Sequence, residues 1–264
     1  MGDIADDLVR FWTALDARLE TVEPAWWGAV VTDRRFPDVW DANYARVETG
    51  DPSVRLEEIT DALMPALEAA NAAAVHVVLF RPQATNGLLD ELAARGEPAS
   101  WDVVMVHIAD EPPPASSVRV EELPIDGQLW SSVESSLPAF GVTEPAAIGQ
   151  LLRIEREILD PGGVKRWFGV RDASGESVAL GALVALEGLG YVDHVVTLPH
   201  ARGLGYARAV VSRIVREARD AGLERTFLLA EPQGPVGLYE GLGFREATRI
   251  ASTLSPRHVG GGGR

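Results

Sequence analysis

The chain has 264 residues and no cysteine, and its 39 acidic and 24 basic side chains give a formal net charge of −15. Without cysteine there can be no disulfide bond, thiolate metal site or catalytic thiol. The acidic balance argues against nucleic acid as a partner, because phosphate binding needs a basic face. The length allows one large domain or two small ones. The negative charge suits a cationic, amine-bearing substrate, or it only keeps the protein soluble.

The first residues, Met1 to Asp7, are acidic and lack the basic-then-apolar order of a secretory signal. No apolar run is long enough to span a bilayer, and the five histidines show no metal-ligand spacing. We therefore expect a cytoplasmic protein without a metal cofactor or a membrane partner. The sequence leaves the oligomeric state open.

In chain order, the first part of the sequence predicts a mixture of helices and strands. Apolar residues from Ile4 to Leu19 recur at helical spacing and predict an amphipathic first helix. The pattern then predicts strands at 27–31, 40–47, 75–80 and 101–108, and helices at 54–73 and 85–94. Pro65 lies inside the first of these two helices and should bend or restart it.

A proline-rich segment, Glu111 to Ser117, follows this first part. Its three consecutive prolines exclude helix and stiffen the chain, so we interpret it as a linker. The predicted domains are therefore 1–111 and 117–255. The glycine-rich end of the chain, 256–264, is predicted to be a flexible tail.

The second part predicts strands at 118–123, 166–171, 177–186, 191–198, 226–230 and 244–253, and helices at 127–140, 146–159, 205–221 and 235–240. The helix at 205–221 has the clearest pattern, because its apolar residues fall on one face, and Gly222 is placed to end it.

The most informative motif is Arg202-Gly203-Leu204-Gly205-Tyr206-Ala207, which lies between a predicted strand and a predicted helix. A glycine-rich turn at a helix N-terminus offers free backbone N–H groups to a phosphate or pyrophosphate. A dinucleotide fingerprint is not formed, because Arg208 replaces its third glycine. No Walker lysine follows the turn either.

The spacing of Arg202, Gly205 and Ala207 resembles the coenzyme A loop of the GNAT superfamily of N-acetyltransferases. Further on, the segment Leu238 to Phe244 is similar to the family's Leu-Tyr-x-x-x-Gly-Phe segment, which carries a tyrosine near the cofactor thiol. The two motifs occur in the family's order, with a helix and a strand between them. The resemblance covers roughly residues 117–255.

The resemblance implies an α+β fold with a mixed α/β sheet, with the GNAT fold in the C-terminal domain and a smaller α/β N-terminal domain. Some GNAT proteins carry two such domains in tandem, so the N-terminal domain is a candidate degenerate GNAT-like repeat. The segment 45–52, which precedes its helix, has one glycine and two acids and is a poor pyrophosphate seat. We therefore expect no coenzyme A binding in the first part.

The family also implies the cofactor-binding residues. The main chain of Val195, Val196 and Thr197 would bind the pantetheine arm, because this strand end splays from its neighbour in GNAT proteins. The pyrophosphate would lie on Arg202, Gly203, Leu204, Gly205, Tyr206, Ala207 and Arg208.

Tyr239 is the candidate that meets the leaving thiolate of coenzyme A, although a core tyrosine in a short helix is the structural alternative. A base is also needed, because an alkylammonium has an ordinary pKa near ~10.4. We favour Asp193, and His194 and Glu231 are the other candidates. Glu231 lies where many relatives carry an asparagine, so we consider it for binding the substrate ammonium. Trp130 is a candidate for the acceptor pocket, or it packs in the core.

We expect an acyl-CoA-dependent N-acetyltransferase that moves acetyl from acetyl-CoA to a primary amine by direct attack in a ternary complex. The partner would be a small-molecule or peptide amine, and neither its identity nor the preferred acyl chain can be read from the sequence. The alternative is a non-catalytic acyl-CoA-binding or regulatory module, which would keep the Arg202 turn without needing Tyr239.

Overall fold

The computed structural model describes residues 3–114, 116–159 and 163–257. Its helices are α1 Ile4–Asp16, α2 Leu56–Ala70, α3 Asn86–Ala94, α4 Gly127–Ser136, α5 Pro145–Ile154, α6 Tyr206–Asp220 and α7 Val236–Glu240. Its strands are β1 Thr21–Ala25, β2 Gly28–Thr32, β3 Tyr44–Val47, β4 Ala74–Leu79, β5 Ser100–His107, β6 Glu121–Glu122, β7 Lys165–Arg171, β8 Ser177–Leu186, β9 Leu189–Thr197, β10 Arg225–Ala230 and β11 Phe244–Pro256.

The chain divides into two compact units, one of Met1–Asp102 with Arg249–Arg264 and one of Val103–Thr248. The chain therefore changes unit inside β5, ahead of the proline-rich segment, and again inside β11. A compact unit is defined by contacts, whereas a domain is defined by independent folding. The division into 1–111 and 117–255 stays a prediction. Of the predicted tail 256–264, Pro256 ends β11 and residues 258–264 lie outside the described residues.

The first unit contains a sheet in the order β1-β2-β3-β4-β11. Neighbouring strands are antiparallel except for β3 and β4, which are parallel. Helix α2 supplies the main apolar face, because Leu56, Ile59, Leu63 and Leu67 recur every three or four residues and are fully or almost fully buried. The helix continues through Pro65, whose side chain faces solvent. The origin of this unit as a degenerate repeat stays a prediction.

Strand β1 was not predicted from the sequence. Its residues Thr21–Ala25 include Glu23 and Pro24, which are uncommon in strands. It lies at the edge of the sheet, where the strand is mostly exposed and a proline is tolerated. The hairpin with β2 is therefore decided by pairing, with Val22 opposite Val31, and not by the apolar pattern of β1 itself.

A charged cluster is buried inside the first unit. The side chain of Arg46 is 2% exposed and ion-paired with Asp16, whose side chain is 3% exposed. The Arg46 guanidinium also donates to Glu48 Oε1 at 2.8 Å and to Thr13 Oγ1 at 2.9 Å. The Tyr44 hydroxyl donates to Asp16 Oδ2 at 2.8 Å. Burial raises the pKa of Asp16 to about 7, although Arg46 acts in the opposite direction.

The second unit contains a sheet in the order β11-β5-β10-β9-β8-β7-β6. Here β9 and β10 are parallel, and the pairs β5–β10, β8–β9, β7–β8 and β6–β7 are antiparallel. Helix α6 packs on one face with Phe168 and Leu183, and α4 packs on the other with Trp167 and Leu180. Because neighbouring side chains on a strand point to opposite faces, Trp167 and Phe168 belong to different cores.

The sheets and helices confirm the predicted mixed α/β fold class. Two predicted helices of the second unit are shorter α-helices than expected, and each is followed by a turn of another helix type. The helix predicted at 127–140 is α4 followed by a 3₁₀ turn, Leu137–Phe140. The helix predicted at 146–159 is α5 followed by a π-helical turn, Glu155–Leu159. A search of the described residues finds no helix with the length and apolar character that a membrane crossing requires.

Candidate functional site

A cleft of about 610 Å³ lies in the second unit between the end of β9, the start of α6 and α7. Residues of all three elements and of the turn after α4 form its walls: Val195, Val196 and Thr197, residues 201–203 and 205–208, Pro235, Leu238 and Tyr239, and Ala139 and Phe140. The cleft has the size of an ordinary small-molecule site.

The cleft exists because β9 and β10 separate. Their parallel pairing runs from Arg225 opposite Leu189 to Phe227 opposite Tyr191, and no later pair is described between them. Strand β9 continues to Thr197 with β8 as its partner on the other edge. Residues 195–197 therefore line the cleft as a strand end that β10 leaves uncovered, which is the splayed geometry that the resemblance implies.

The turn before α6 has the open, unpaired backbone that an anion site requires. Gly203 and Gly205 both have φ of 79°, and a Cβ placed on either would meet no atom within 4 Å. Across the part of the chain that the structure describes, the backbone N–H groups of residues 203–208 donate to no acceptor. These amides lie at the N-terminus of a 15-residue helix, whose dipole adds positive potential.

Two arginines flank this turn. The Nε of Arg202 donates to the carbonyl oxygen of Thr197 at 3.2 Å, which ties the turn to the end of β9. The Nη1 of Arg208 donates to the carbonyl oxygen of Gly241 at 3.0 Å. Both side chains line the cleft, and each guanidinium keeps further N–H donors. The two cations add to the positive potential of the turn.

Tyr239 lies on α7, is 6% exposed and borders the same cleft. Its ring packs edge-on against Phe244, with 6.1 Å between the centroids. No described residue hydrogen-bonds its hydroxyl. Burial raises the pKa of Tyr239, so the phenol keeps its proton at neutral pH and can donate it.

Residues 132–244 match the model of the acetyltransferase (GNAT) family. They form a GNAT acetyltransferase domain. The match lies inside the predicted range 117–255 and confirms the resemblance. It begins within α4 and ends at Phe244, so it contains both the turn before α6 and the Tyr239 segment.

Solved structures show the same fold over most of the chain. A GCN5-related N-acetyltransferase from Kribbella flavida is similar at a TM-score of 0.64 and 14% identity, covering 97% of each chain. A second one, from Sphaerobacter thermophilus, gives a TM-score of 0.56 and 18% identity over 76% of this chain and 67% of that one. A functionally unknown conserved protein from Staphylococcus epidermidis is similar at a TM-score of 0.64 and 10% identity, over 87% of this chain and 90% of that one. No curated protein sequence matches significantly.

Within the GNAT domain, Asp193 lies on β9 outside the residues that line the cleft. Its Oδ2 accepts a hydrogen bond from Lys165 Nζ at 2.7 Å, and its Oδ1 accepts one from the backbone N–H of His194 at 2.8 Å. Burial by itself favours the neutral acid, but Lys165 and His194 together outweigh it and lower the pKa of Asp193. Its role as the base stays a prediction, and a carboxylate with a lowered pKa is a weaker base.

His194 occupies a β-bulge of the GNAT domain. The register of β9 shifts between the partners Leu180 and Ala182 of β8, and His194 has φ of 54°. A left-handed non-glycine residue costs about 1–3 kcal/mol and persists only where its surroundings hold it. Burial, and then Lys165, lowers the pKa of His194 to about 4, so the imidazole is neutral at neutral pH.

The structure does not bring Glu231 and Trp130 to the cleft. Glu231 is exposed and follows the end of β10. Trp130 is 9% exposed and packs in an apolar cluster with Leu129 and Val133 of its own helix. The guanidinium of Arg156 lies 5.2 Å from its ring centroid. Their roles in substrate binding stay predictions.

Most of the predicted cofactor-binding residues do share the cleft. Leu204, which is 59% exposed, is the one that does not border it. Sequence reasoning missed Phe140, which borders the cleft and is 46% exposed. The available signal was a large aromatic residue directly before Gly141, at the end of a helical pattern. Among the described residues, no group of three or more histidine, aspartate or glutamate side chains could hold a metal ion.

Proposed function

We propose that this protein is an acyl-CoA-dependent N-acetyltransferase that transfers acetyl from acetyl-CoA to a primary amine, by direct attack in a ternary complex. One observation carries the proposal. The run of unpaired amides at 203–208, with Arg202 beside it, opens into the same cleft as the uncovered end of β9 and Tyr239. This combination suits a ligand with a diphosphate at one end and a reactive thioester at the other.

The residues of the cleft fit acetyl-CoA, which would supply the acyl group in activated form. The amides of residues 203–208 would hold the diphosphate, since the two glycines leave the approach open. Arg202 and Arg208 would neutralise its charge. The uncovered backbone of Val195, Val196 and Thr197 would hydrogen-bond the pantetheine arm as an added strand does.

The chain's own groups then act on the reaction in two ways. Backbone N–H groups at the end of β9 would polarise the thioester carbonyl, as oxyanion donors do. The Tyr239 hydroxyl would donate a hydrogen bond or a proton to the departing sulfur. The raised pKa of Tyr239 suits this role, because the phenol stays protonated up to at least its ordinary value of 10.0. The acceptor must enter as a neutral amine or lose its proton in the cleft.

The substrate is proposed to be a small-molecule or peptide amine. The net charge of −15 favours the approach of a cation, because an acidic protein raises the local concentration of positively charged molecules. The charge favours cationic acceptors as a class, without selecting among them.

We expect Tyr239→Phe to lower kcat about 100-fold, the lower end of what a general acid contributes. The dissociation constant for acetyl-CoA should change little, because the diphosphate seat is untouched. The assay is thiol release from acetyl-CoA with a panel of primary amines, alongside calorimetric binding of acetyl-CoA. Tyr191→Phe is the matched control, since it removes a phenol hydroxyl outside the residues that line the cleft.

Two results would contradict the proposal in different ways. Tight acetyl-CoA binding by the wild type, with no thiol release on any amine, would indicate a non-catalytic acyl-CoA-binding module. Failure of the wild type to bind acetyl-CoA would overturn the assignment of the cleft itself.

A further inference from the structure

Two aromatic side chains have no role in the proposed function: Phe140, which lines the cleft, and His194, which packs against it. We call this pair the aromatic wall. Phe140 closes the 3₁₀ turn after α4 and borders the cleft with 46% of its surface exposed. Its ring lies against the imidazole of His194, with 4.7 Å between the centroids. Ligand pockets are lined mainly by apolar and aromatic side chains, so the exposed face of Phe140 is available to contact a ligand in the cleft.

The imidazole of His194, which packs against the Phe140 ring, is itself fixed by hydrogen bonding and packing. Its Nε2 lies 2.7 Å from Ser136 Oγ, and Ser136 Oγ donates its single proton to the Val133 carbonyl oxygen at 2.7 Å. The Nε2 of His194 must therefore carry the hydrogen that Ser136 accepts. The imidazole also packs edge-on against Trp167, at 5.0 Å between the ring centroids.

The backbone of His194 is fixed by a chain of ion pairs. Asp193 accepts the His194 N–H and also binds Lys165, whose Nζ lies 2.6 Å from Glu155 Oε1. The Lys165 side chain is 1% exposed, and its Nζ lies 4.5 Å from the centroid of the Trp167 ring. The left-handed bulge and the ring of His194 are thus anchored to two helical segments and one strand.

The position of this wall follows from the direction of β9. Arg202 binds the carbonyl oxygen of Thr197, so Thr197 marks the end of the cleft nearest the diphosphate seat. An arm that runs from Thr197 along β9 passes Val196 and then Val195, and His194 directly precedes Val195. The Phe140–His194 wall therefore stands at the thioester end of the cleft, where the acyl group would lie.

We propose that Phe140, positioned by His194, limits the length of the acyl group, so that the cleft accepts acetyl and excludes longer chains. This inference rests on the proposed function only for the course of the acyl-CoA along β9. Phe140 is the residue that determines specificity, and His194 is a positioning residue that acts through it.

The test measures dissociation constants of acetyl-CoA and butyryl-CoA, which need no acceptor and no turnover. The wild type should bind butyryl-CoA at least about tenfold more weakly, since a single extra methylene in an apolar pocket discriminates by roughly 10–200-fold. Phe140→Ala should bring the two constants to within about threefold of each other. His194→Gly should do the same, because glycine keeps the left-handed backbone and removes the supporting ring.

Two further variants sharpen the test. Ile125→Ala removes an apolar side chain of similar exposure that does not line the cleft, and it should leave the ratio of the constants unchanged. The double variant Phe140→Ala/His194→Gly should match the single variants, because two residues that form one wall give non-additive effects.

A wild-type ratio near one, or a wild-type ratio retained by Phe140→Ala, would overturn the inference. So would additive changes in the double variant. The expected ratios without thiol release on any amine would instead contradict the proposed function alone. Failure of the wild type to bind either acyl-CoA would overturn both.

Discussion

Gly205→Val should weaken acetyl-CoA binding by on the order of 100-fold, which corresponds to nearly 3 kcal/mol. Gly205, the N-cap residue directly before α6, has φ of 79°, and its missing side chain leaves the approach to the amides of 203–208 open. A branched side chain there would stand where we propose that the diphosphate binds. It would also resist the left-handed backbone that turns the amides toward the cleft.

The matched control lies at the other end of the same helix. Gly222 has φ of 71°, and a Cβ on it would meet no atom within 4 Å, as for Gly205. Gly222→Val therefore imposes the same backbone strain outside the cleft. It should lower the melting temperature about as much as Gly205→Val and leave acetyl-CoA affinity within about threefold of the wild type.

Calorimetric titration measures the acetyl-CoA affinity of both variants, and thermal unfolding measures their melting temperatures. Equal losses of affinity in the two variants would mean that strain in α6, and not the open seat at Gly205, controls binding. Unchanged acetyl-CoA affinity in Gly205→Val would contradict the proposal that the diphosphate binds at this turn.

Arg46→Met should destabilise the first unit by about 3–5 kcal/mol, the usual result of removing one partner of a buried ion pair. The Arg46 side chain is 2% exposed and contacts Asp16, Glu48 and Thr13. Methionine fills much of the same volume, so the loss comes from the oxygens of Asp16, Glu48 and Thr13 that are left without their donor, and above pH ~7 also from the Asp16 carboxylate left without its cation. Denaturant unfolding followed by circular dichroism measures the change.

Arg34→Met is the control for this prediction. Arg34 is 74% exposed and pairs with Glu20 at 2.6 Å, so it removes an ion pair at the surface. Exposed pairs contribute about 0–1 kcal/mol, and the variant should unfold close to the wild type. A loss of similar size in both variants would show that burial does not set the importance of Arg46.

Asp16 adds a dependence on pH that can be measured in the same way. Burial raises its pKa from 3.8 to about 7, so the folded protein binds this proton more tightly than the unfolded chain does. The stabilisation is complete below the unfolded-state pKa of 3.8, and it is lost as the pH rises through the folded-state pKa of about 7. The slope between them should not exceed about 1.4 kcal/mol per pH unit.

Asp16→Asn should flatten this slope, because the amide does not titrate. The measurement is the free energy of unfolding at several pH values between the two pKa values, for the wild type and Asp16→Asn. A wild-type slope that Asp16→Asn leaves unchanged would show that Arg46 dominates and that the folded-state carboxyl is ionised throughout this interval.

The sequence alone determined the parts of the site that are contiguous in the chain. The turn at Arg202 to Ala207 needs only two glycines and the start of an amphipathic helix, and both are local properties. The Tyr239 segment is equally short. Together they were sufficient to indicate the family of residues 132–244, and the amphipathic patterns of α1 and α6 were sufficient to place those helices.

Only the tertiary structure decided which side chains meet. Strand β5 joins the sheet of the second unit although it precedes the proline-rich segment, because pairing with β10 is a contact between residues far apart in the chain. The ion pair between Lys165 and Asp193 is likewise a contact between residues far apart in the chain. It helps to lower the pKa of Asp193 and so weakens this carboxylate as a base. Burial and charge pairing depend on such long-range neighbours, and no local pattern specifies them. The bulge at His194 and the wall at Phe140 follow from these contacts.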